Sequence, residues 1–228
     1  MKGPRLRLTG PLLLFLFLAT ACASGPPSMT LAVTPPYRSV TQARLENPEP
    51  ENWLSYRGNY AGWGFSELDH ITPGNVSDLE AAWTFSTGVR GGHESPPIVN
   101  DGVMYITTPG NRLFALDARN GDLLWLYEHD LPDRLVAIHN TNRGVALYED
   151  KVFMATLDAR VIAFDALTGD EIWDVSVADN GAGYYMTTAP LAVEGRIMAG
   201  VSGGELGIRG FVVALDAETG AEVWKTQT

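Results

Sequence analysis

The stretch "VIAFDALTGDEIW", residues 161–173, decides the fold. An apolar run enters Asp165-Ala166, Gly169 follows, and Trp173 stands four residues further on. Aspartate accepts backbone N–H groups in a turn, and glycine takes φ > 0 without a steric cost. The segment therefore reads as strand, tight turn, strand. The pattern stands twice more, as "LFALDARNGDLLW" (113–125) and "VVALDAETGAEVW" (212–224). Its tryptophans, Trp125, Trp173 and Trp224, are spaced by 48 and 51 residues. A weaker relative ends at Trp83, after "NVSDLEAAW" (75–83).

Ahead of each clear copy lies a second strand pair: "PPIVNDGVMYITT" (96–108), "RGVALYEDKVFMATL" (143–157) and "APLAVEGRIMAGV" (189–201). Apolar residues alternate around Asp101-Gly102, Glu149-Asp150 and Glu194-Gly195, which is tight-turn chemistry. Each period of about 50 residues thus holds four short strands, which means a β-propeller blade. The expected fold is all-β: a partial propeller of about 3–4 four-stranded blades with tryptophan docking. A propeller closes with roughly four to eight blades, so the sequence reads as the N-terminal part of a longer protein.

The N-terminus is set aside. Lys2, Arg5 and Arg7 precede "LLLFLFL" (12–18), a run too short to span a membrane as a mature helix. Small residues and Cys22 follow, so residues 1–21 read as a secretory signal of the lipoprotein type. "LATAC" resembles a lipobox, which implies a lipid anchor at Cys22; cleavage at a nearby A-x-A site is the alternative. Residues 22–50 carry six prolines without a clear period and read as an extended tether. Residues 51–228 are the expected propeller. Cys22 is the one cysteine in the chain, so there is no internal disulfide and no C-x-x-C-H haem attachment. Removing the signal leaves 13 of the 16 basic residues against 27 acidic ones, a balance of −14. Nucleic acid, which needs a basic face, is excluded as a partner. A soluble body in the periplasm, tethered to a membrane, fits.

The repeats, the opening stretch "NWLSYRGNYAGWGFSELDHITPGNVSDLEAAW" (52–83), "NRGVAL" (142–147) and "GGELGIRGFVVALDAETGAEVW" (203–224) together resemble pyrroloquinoline quinone (PQQ)-dependent alcohol and glucose dehydrogenases. The resemblance implies an eight-bladed propeller holding PQQ in a central funnel beside calcium or a lanthanide. It also implies oxidation of an alcohol, polyol or aldose, with cytochrome c or a membrane quinone as electron acceptor. By the same resemblance, Glu94 hydrogen-bonds the quinone and Arg143 pairs with a PQQ oxygen or carboxylate. Thr187 and Ser202 match hydroxyl donors to PQQ carboxylates, Gly203 and Gly204 let the backbone approach, and Glu205 matches a metal ligand. Arginine suits its task because its planar fork fits a carboxylate. Glutamate suits its own because hard cations take carboxylate oxygens.

Two features qualify the match. Where the alcohol enzymes carry adjacent cysteines over one face of PQQ, this chain has Ala137 and Ile138. The run His139-x-Thr141-x-Arg143 resembles the glucose enzymes instead and makes His139 the candidate cover for that face. The family's catalytic aspartate, stacking tryptophan and asparagine metal ligand have no match here and are expected downstream of Thr228. Trp125, Trp173 and Trp224 read as structural, Asp117, Asp165 and Asp216 as turn-makers, and Arg209 as a structural pair. His93 and His129 lack metal spacing, and no phosphate loop is present. A rival reading is a non-enzymatic propeller lipoprotein, an envelope assembly or binding scaffold.

Overall fold

Three copies of one meander make up the structure, a computed structural model that describes residues 36–228, all within the unit Ala32–Thr228. The first sheet is β1 (Ile98–Asn100), β2 (Val103–Thr108), β3 (Arg112–Asp117) and β4 (Leu123–Glu128). The second is β5 (Val145–Tyr148), β6 (Lys151–Ala155), β7 (Arg160–Asp165) and β8 (Glu171–Ser176). The third is β9 (Leu191–Val193), β10 (Arg196–Val201), β11 (Phe211–Asp216) and β12 (Glu222–Gln227). Each sheet is antiparallel in chain order. They are the expected blades, A, B and C.

The repeated residues explain the repeated geometry. In every blade an alanine of the third strand faces the tryptophan of the fourth: Ala115↔Trp125, Ala163↔Trp173, Ala214↔Trp224. A β-bulge follows each of these alanines and strengthens the local twist. The turn aspartates work as expected. Asp165 Oδ1 accepts from the amides of Leu167 and Thr168, and Asp216 Oδ1 from those of Glu218 and Thr219.

Trp83, Trp125 and Trp173 then cross to the next blade, whereas Trp224 is exposed. Trp83 Nε1 donates to Ala118 O at 3.1 Å, Trp125 Nε1 to Ala166 O at 3.1 Å and Trp173 Nε1 to Ala217 O at 3.2 Å. The weak repeat at Trp83 therefore docks like the clear ones. Each of these three indoles lies against the turn glycine of the neighbour. A Cβ on Gly169 would stand 2.6 Å from Trp125 Cδ2, and one on Gly220 would stand 3.0 Å from Trp173 Cδ2. These glycines, at φ 76° and 70°, serve both the turn and the dock. The core lies between the sheets, with Tyr105, Phe153, Phe164 and Leu113 fully buried. Tyr105 also donates to Ala166 O, so one carbonyl of blade B receives two side chains of blade A.

Because the strands alternate in direction, the β1–β2, β5–β6 and β9–β10 hairpins lie at one end of the blades, the base. The entries to β1, β5 and β9 and the exit of β10 lie at the other end, the rim. The base carries a strap, which corrects the expected tether where it can be seen. Residues 37–50 are docked. Arg38 grips Asp101 of blade A, Val40 pairs with Glu149 of blade B in both directions at 2.8 Å, and Gln42 Oε1 accepts from Glu194 N of blade C. A five-residue helix, α1 (Gln42–Glu46), buries Leu45, and its N-cap is Thr41. Pro48 and Pro50 end this helix and return the chain to Asn52, whose Oδ1 accepts from Asp101 N at 2.7 Å. The signal segment, Cys22 and the rest of the expected tether lie outside the described residues. No described helix is long and apolar enough to cross a membrane.

Candidate functional site

Blade entries at the rim bring three of the sequence candidates together. Arg143 precedes β5, Thr187 precedes β9 and Glu94 precedes β1. Arg143 Nη2 lies 2.9 Å from Glu94 Oε2, and Nη1 donates to Thr187 Oγ1 at 2.6 Å. The backbone joins the same residues, with Arg143 N donating to Thr187 O at 3.1 Å. Thr187 is buried, whereas the Arg143 and Glu94 side chains keep 34% and 47% of their surface exposed. The pair stands between two open clefts. One of about 640 Å³ runs along β5 and β9 past Leu54, Tyr56 and Tyr60; one of about 680 Å³ runs past Trp53, His93 and Pro96.

The segment that carries Thr187 also carries Tyr185, which pairs antiparallel with Ser202 at the end of β10. Ser202 N donates to Tyr185 O at 2.9 Å. One extended piece of chain thus links Arg143 on one side to the Ser202–Glu205 turn on the other. Tyr185 is buried, and burial first, then the adjacent Glu205 carboxylate, raises the pKa of its hydroxyl. Glu205 itself is exposed, in a short 3-10 turn (Gly204–Leu206), and pairs with no described cation. No group of three or more His, Cys, Asp or Glu is clustered for a metal among the described residues.

Two candidates receive different accounts from the ones expected. Gly203 is buried at φ 143°, and a Cβ there would lie 2.2 Å from Ile208 Cδ1 and 2.5 Å from Gly183 O. The local fold by itself therefore requires glycine at this position. Gly204 is the open one, with no atom within 4 Å of the Cβ position. His139 is exposed and makes no hydrogen bond or ion pair with a described residue, so the structure leaves it apart from Glu94, Arg143 and Thr187. Arg209 holds a carbonyl, that of Thr228, as a structural residue does.

Three site residues escaped the sequence reading. Asn142 is 1% exposed, and its side chain meets Thr107, Gly144 and Ala155. Ser95 Oγ accepts from Thr107 N at 3.1 Å beside Gly144, where a Cβ would stand 3.3 Å from that oxygen. Tyr185 neighbours Glu205. The polar run "HNTNRG" before an apolar strand was the available signal for Asn142.

The arrangement has a defined chemistry. A guanidinium with free surface, held by the Thr187 hydroxyl, suits a carboxylate or another anionic oxygen. An exposed lone carboxylate suits a cation. The family described as "PQQ: Glucose/ethanol/alcohol dehydrogenase, beta-propeller domain" matches residues 53–228. The chain belongs to this PQQ dehydrogenase family. Among curated members of the family, the chain is 39% identical over 212 residues to the quinohemoprotein alcohol dehydrogenase ADH-IIG of Pseudomonas putida, covering 88% of this chain and 29% of the relative. It is 42% identical over 182 residues to the lanthanide-dependent methanol dehydrogenase of Methylacidiphilum fumariolicum, covering 77% of this chain and 30% of the relative. Among solved structures, a europium-containing methanol dehydrogenase superposes with a TM-score of 0.78 at 41% identity, over 82% of this chain and 33% of that one. The chain therefore spans about a third or less of these PQQ dehydrogenases. The all-β partial propeller expected from the repeats is the fold of the family.

Proposed function

We propose that the protein is a PQQ-dependent dehydrogenase that oxidises an alcohol and uses a metal ion beside the cofactor. The observation that carries this reading is the Glu94–Arg143–Thr187 cluster, half-open at the rim of a propeller of this family. The donor set fits the cofactor. Arg143 offers a planar cationic fork to a carboxylate or quinone oxygen. Thr187 holds that fork in place and, with Ser202, presents hydroxyls to further carboxylates. Glu94 pairs with the guanidinium and balances its charge. The amide at Gly204 is open to a flat ligand. His139 and Ile138 would cover one face from the loop before Arg143.

When bound, PQQ supplies a two-electron acceptor for the alcohol carbon. Glu205 would hold the metal through a hard carboxylate oxygen, and the ion would act as a Lewis acid. Burial first, then the nearby Glu205 carboxylate, raises the Tyr185 pKa, so its hydroxyl keeps its proton beside Glu205. None of Glu94, Arg143, Thr187, Ser202 and Glu205 is assigned as the base that takes the hydroxyl proton.

The setting is proposed on sequence features: the signal-like residues 1–21, Cys22 as a lipid-anchor site and the acidic balance point to the periplasm at a membrane. Cytochrome c or a membrane quinone would accept the electrons there. Calcium and lanthanides both fit Glu205. The test is reconstitution of full-length protein with PQQ and either calcium or lanthanum. A bound-quinone absorbance and metal-dependent, dye-linked oxidation of simple alcohols are expected. Protein that stays folded and binds no PQQ would return the chain to a non-enzymatic scaffold.

A further inference from the structure

We propose that Asn142 is the positioning residue for Arg143: its buried side chain locks the Arg143 backbone to two blades and so aims the guanidinium. This rests on the proposed role of Arg143 in holding PQQ. The geometry is specific. Asn142 Oδ1 accepts from Thr107 Oγ1 at 2.8 Å and from Gly144 N at 3.0 Å. Its Nδ2 donates to Ala155 O at 2.9 Å. Thr107 belongs to β2 of blade A and Ala155 is the last residue of β6 of blade B, so one amide ties the loop across the blade seam.

The bond from Gly144 N to Oδ1 spans Arg143 itself and closes a small turn around it. Gly144 accepts that turn at φ 115°, where a side chain would be strained and would crowd Ser95 Oγ. With the residue before and the residue after it fixed, Arg143 gives its own amide to Thr187 O and its guanidinium to Glu94 and Thr187. Glu94 is about half exposed and has little power to hold an arginine by itself. The rigid element is the buried amide beneath. No other side chain contacts both neighbouring blades and both ends of the Arg143 turn in this way among the described residues.

A plain seam-filling residue would also be buried and bonded, so the test must separate aim from stability. Full-length protein carrying Asn142→Ala, Arg143→Ala or both is titrated with PQQ, and its melting temperature is measured in parallel. Residues that act as one unit are non-additive, so Asn142→Ala should weaken PQQ binding about tenfold or more when Arg143 is present and less than about twofold when it is absent. Its effect on melting temperature should be the same in both backgrounds. Tyr105→Phe, which removes another buried inter-blade bond far from the rim, should lower stability and leave PQQ affinity unchanged. If Asn142→Ala does not fold, Thr107→Val takes its place, with a smaller loss in the same pattern. Equal weakening in both backgrounds, or no weakening with Arg143 present, overturns the proposal. If the wild-type protein binds no PQQ, the functional reading fails instead. The aim is then read by amide hydrogen exchange: Asn142→Ala, but not Tyr105→Phe, should accelerate exchange at Arg143 and Gly144, and unchanged exchange there overturns the proposal.

Discussion

The base and the rim of this propeller use the same chemistry to opposite ends. At the base, Arg38, Arg44, Glu49, Asn52, Asn100 and Asp101 form one closed network, in which Asp101 keeps 9% and Arg44 13% of its side-chain surface. At the rim, Arg143 and Glu94 form a comparable pair at 2.9 Å, yet keep 34% and 47%. The base network pairs its charges with one another and holds the strap to the β1–β2 hairpin, while Val40 and Gln42 hold it to the other two. The rim pair is half solvated, contributes little to stability and leaves surface for a ligand. Spare hydrogen-bonding capacity, more than residue type or exposure, separates the structural arginine from the functional one: Arg38 keeps 54% of its side-chain surface, yet its Nε, Nη1 and Nη2 are all engaged by Asp101 or Glu49.

The comparison can be broken most severely through the scaffold. Trp125→Ala removes a buried indole, its bond to Ala166 O and its contact with Gly169, and should cost about 3–5 kcal/mol in denaturant unfolding. Gly169→Ala attacks the same dock from the other blade. The left-handed turn and the indole 2.6 Å from the new Cβ leave no room, so a loss above about 1 kcal/mol is expected. A scaffold variant that binds PQQ normally once folded would sharpen the division between base and rim.

The strap makes a pH prediction. Arg44, which grips the Glu49 carboxylate, is the main reason its pKa falls from 4.5 to about 2. A carboxyl whose folded pKa is depressed adds stability that is fully present above its unfolded value. That contribution is lost as pH falls from 4.5 towards 2. Glu49→Gln should therefore flatten the acid limb of the stability curve in that window, and an unchanged limb would show that the strap carries no such linkage. Glu205→Ala should have the smallest effect on stability, within about 0.5 kcal/mol, because the side chain is exposed. It should nonetheless abolish the metal dependence of cofactor binding; retained dependence would remove Glu205 as the ligand.

Sequence legibility followed the same division. Asp165, Gly169 and Trp173 repeat at one spacing, so strand, turn and blade could be read from local chemistry. Glu205 stood out because neither earlier repeat has a carboxylate there, whereas Arg143 and Thr187 were singled out by the family resemblance, which supplied the roles of all three. The strap was read as tether because its buried apolar residues, Val40 and Leu45, are too few for a period. Its prolines looked like a linker and instead end a helix and turn the chain. Gly203 looked like a cofactor cradle, but Ile208 and Gly183, which fill the space beside it, are tertiary neighbours. Asn142 was missed because its partners Thr107 and Ala155 lie 35 and 13 residues away, and no local pattern records such bonds.

The central claim is that the rim around Arg143 holds PQQ while the base holds the fold. Titration of PQQ into full-length wild-type and Arg143→Ala protein, with unfolding followed on the same samples, tests it most directly. Affinity lower by tenfold or more, about 1.4 kcal/mol, with stability changed by less than about 1 kcal/mol is the predicted result. Wild-type affinity in the folded Arg143→Ala protein would contradict it.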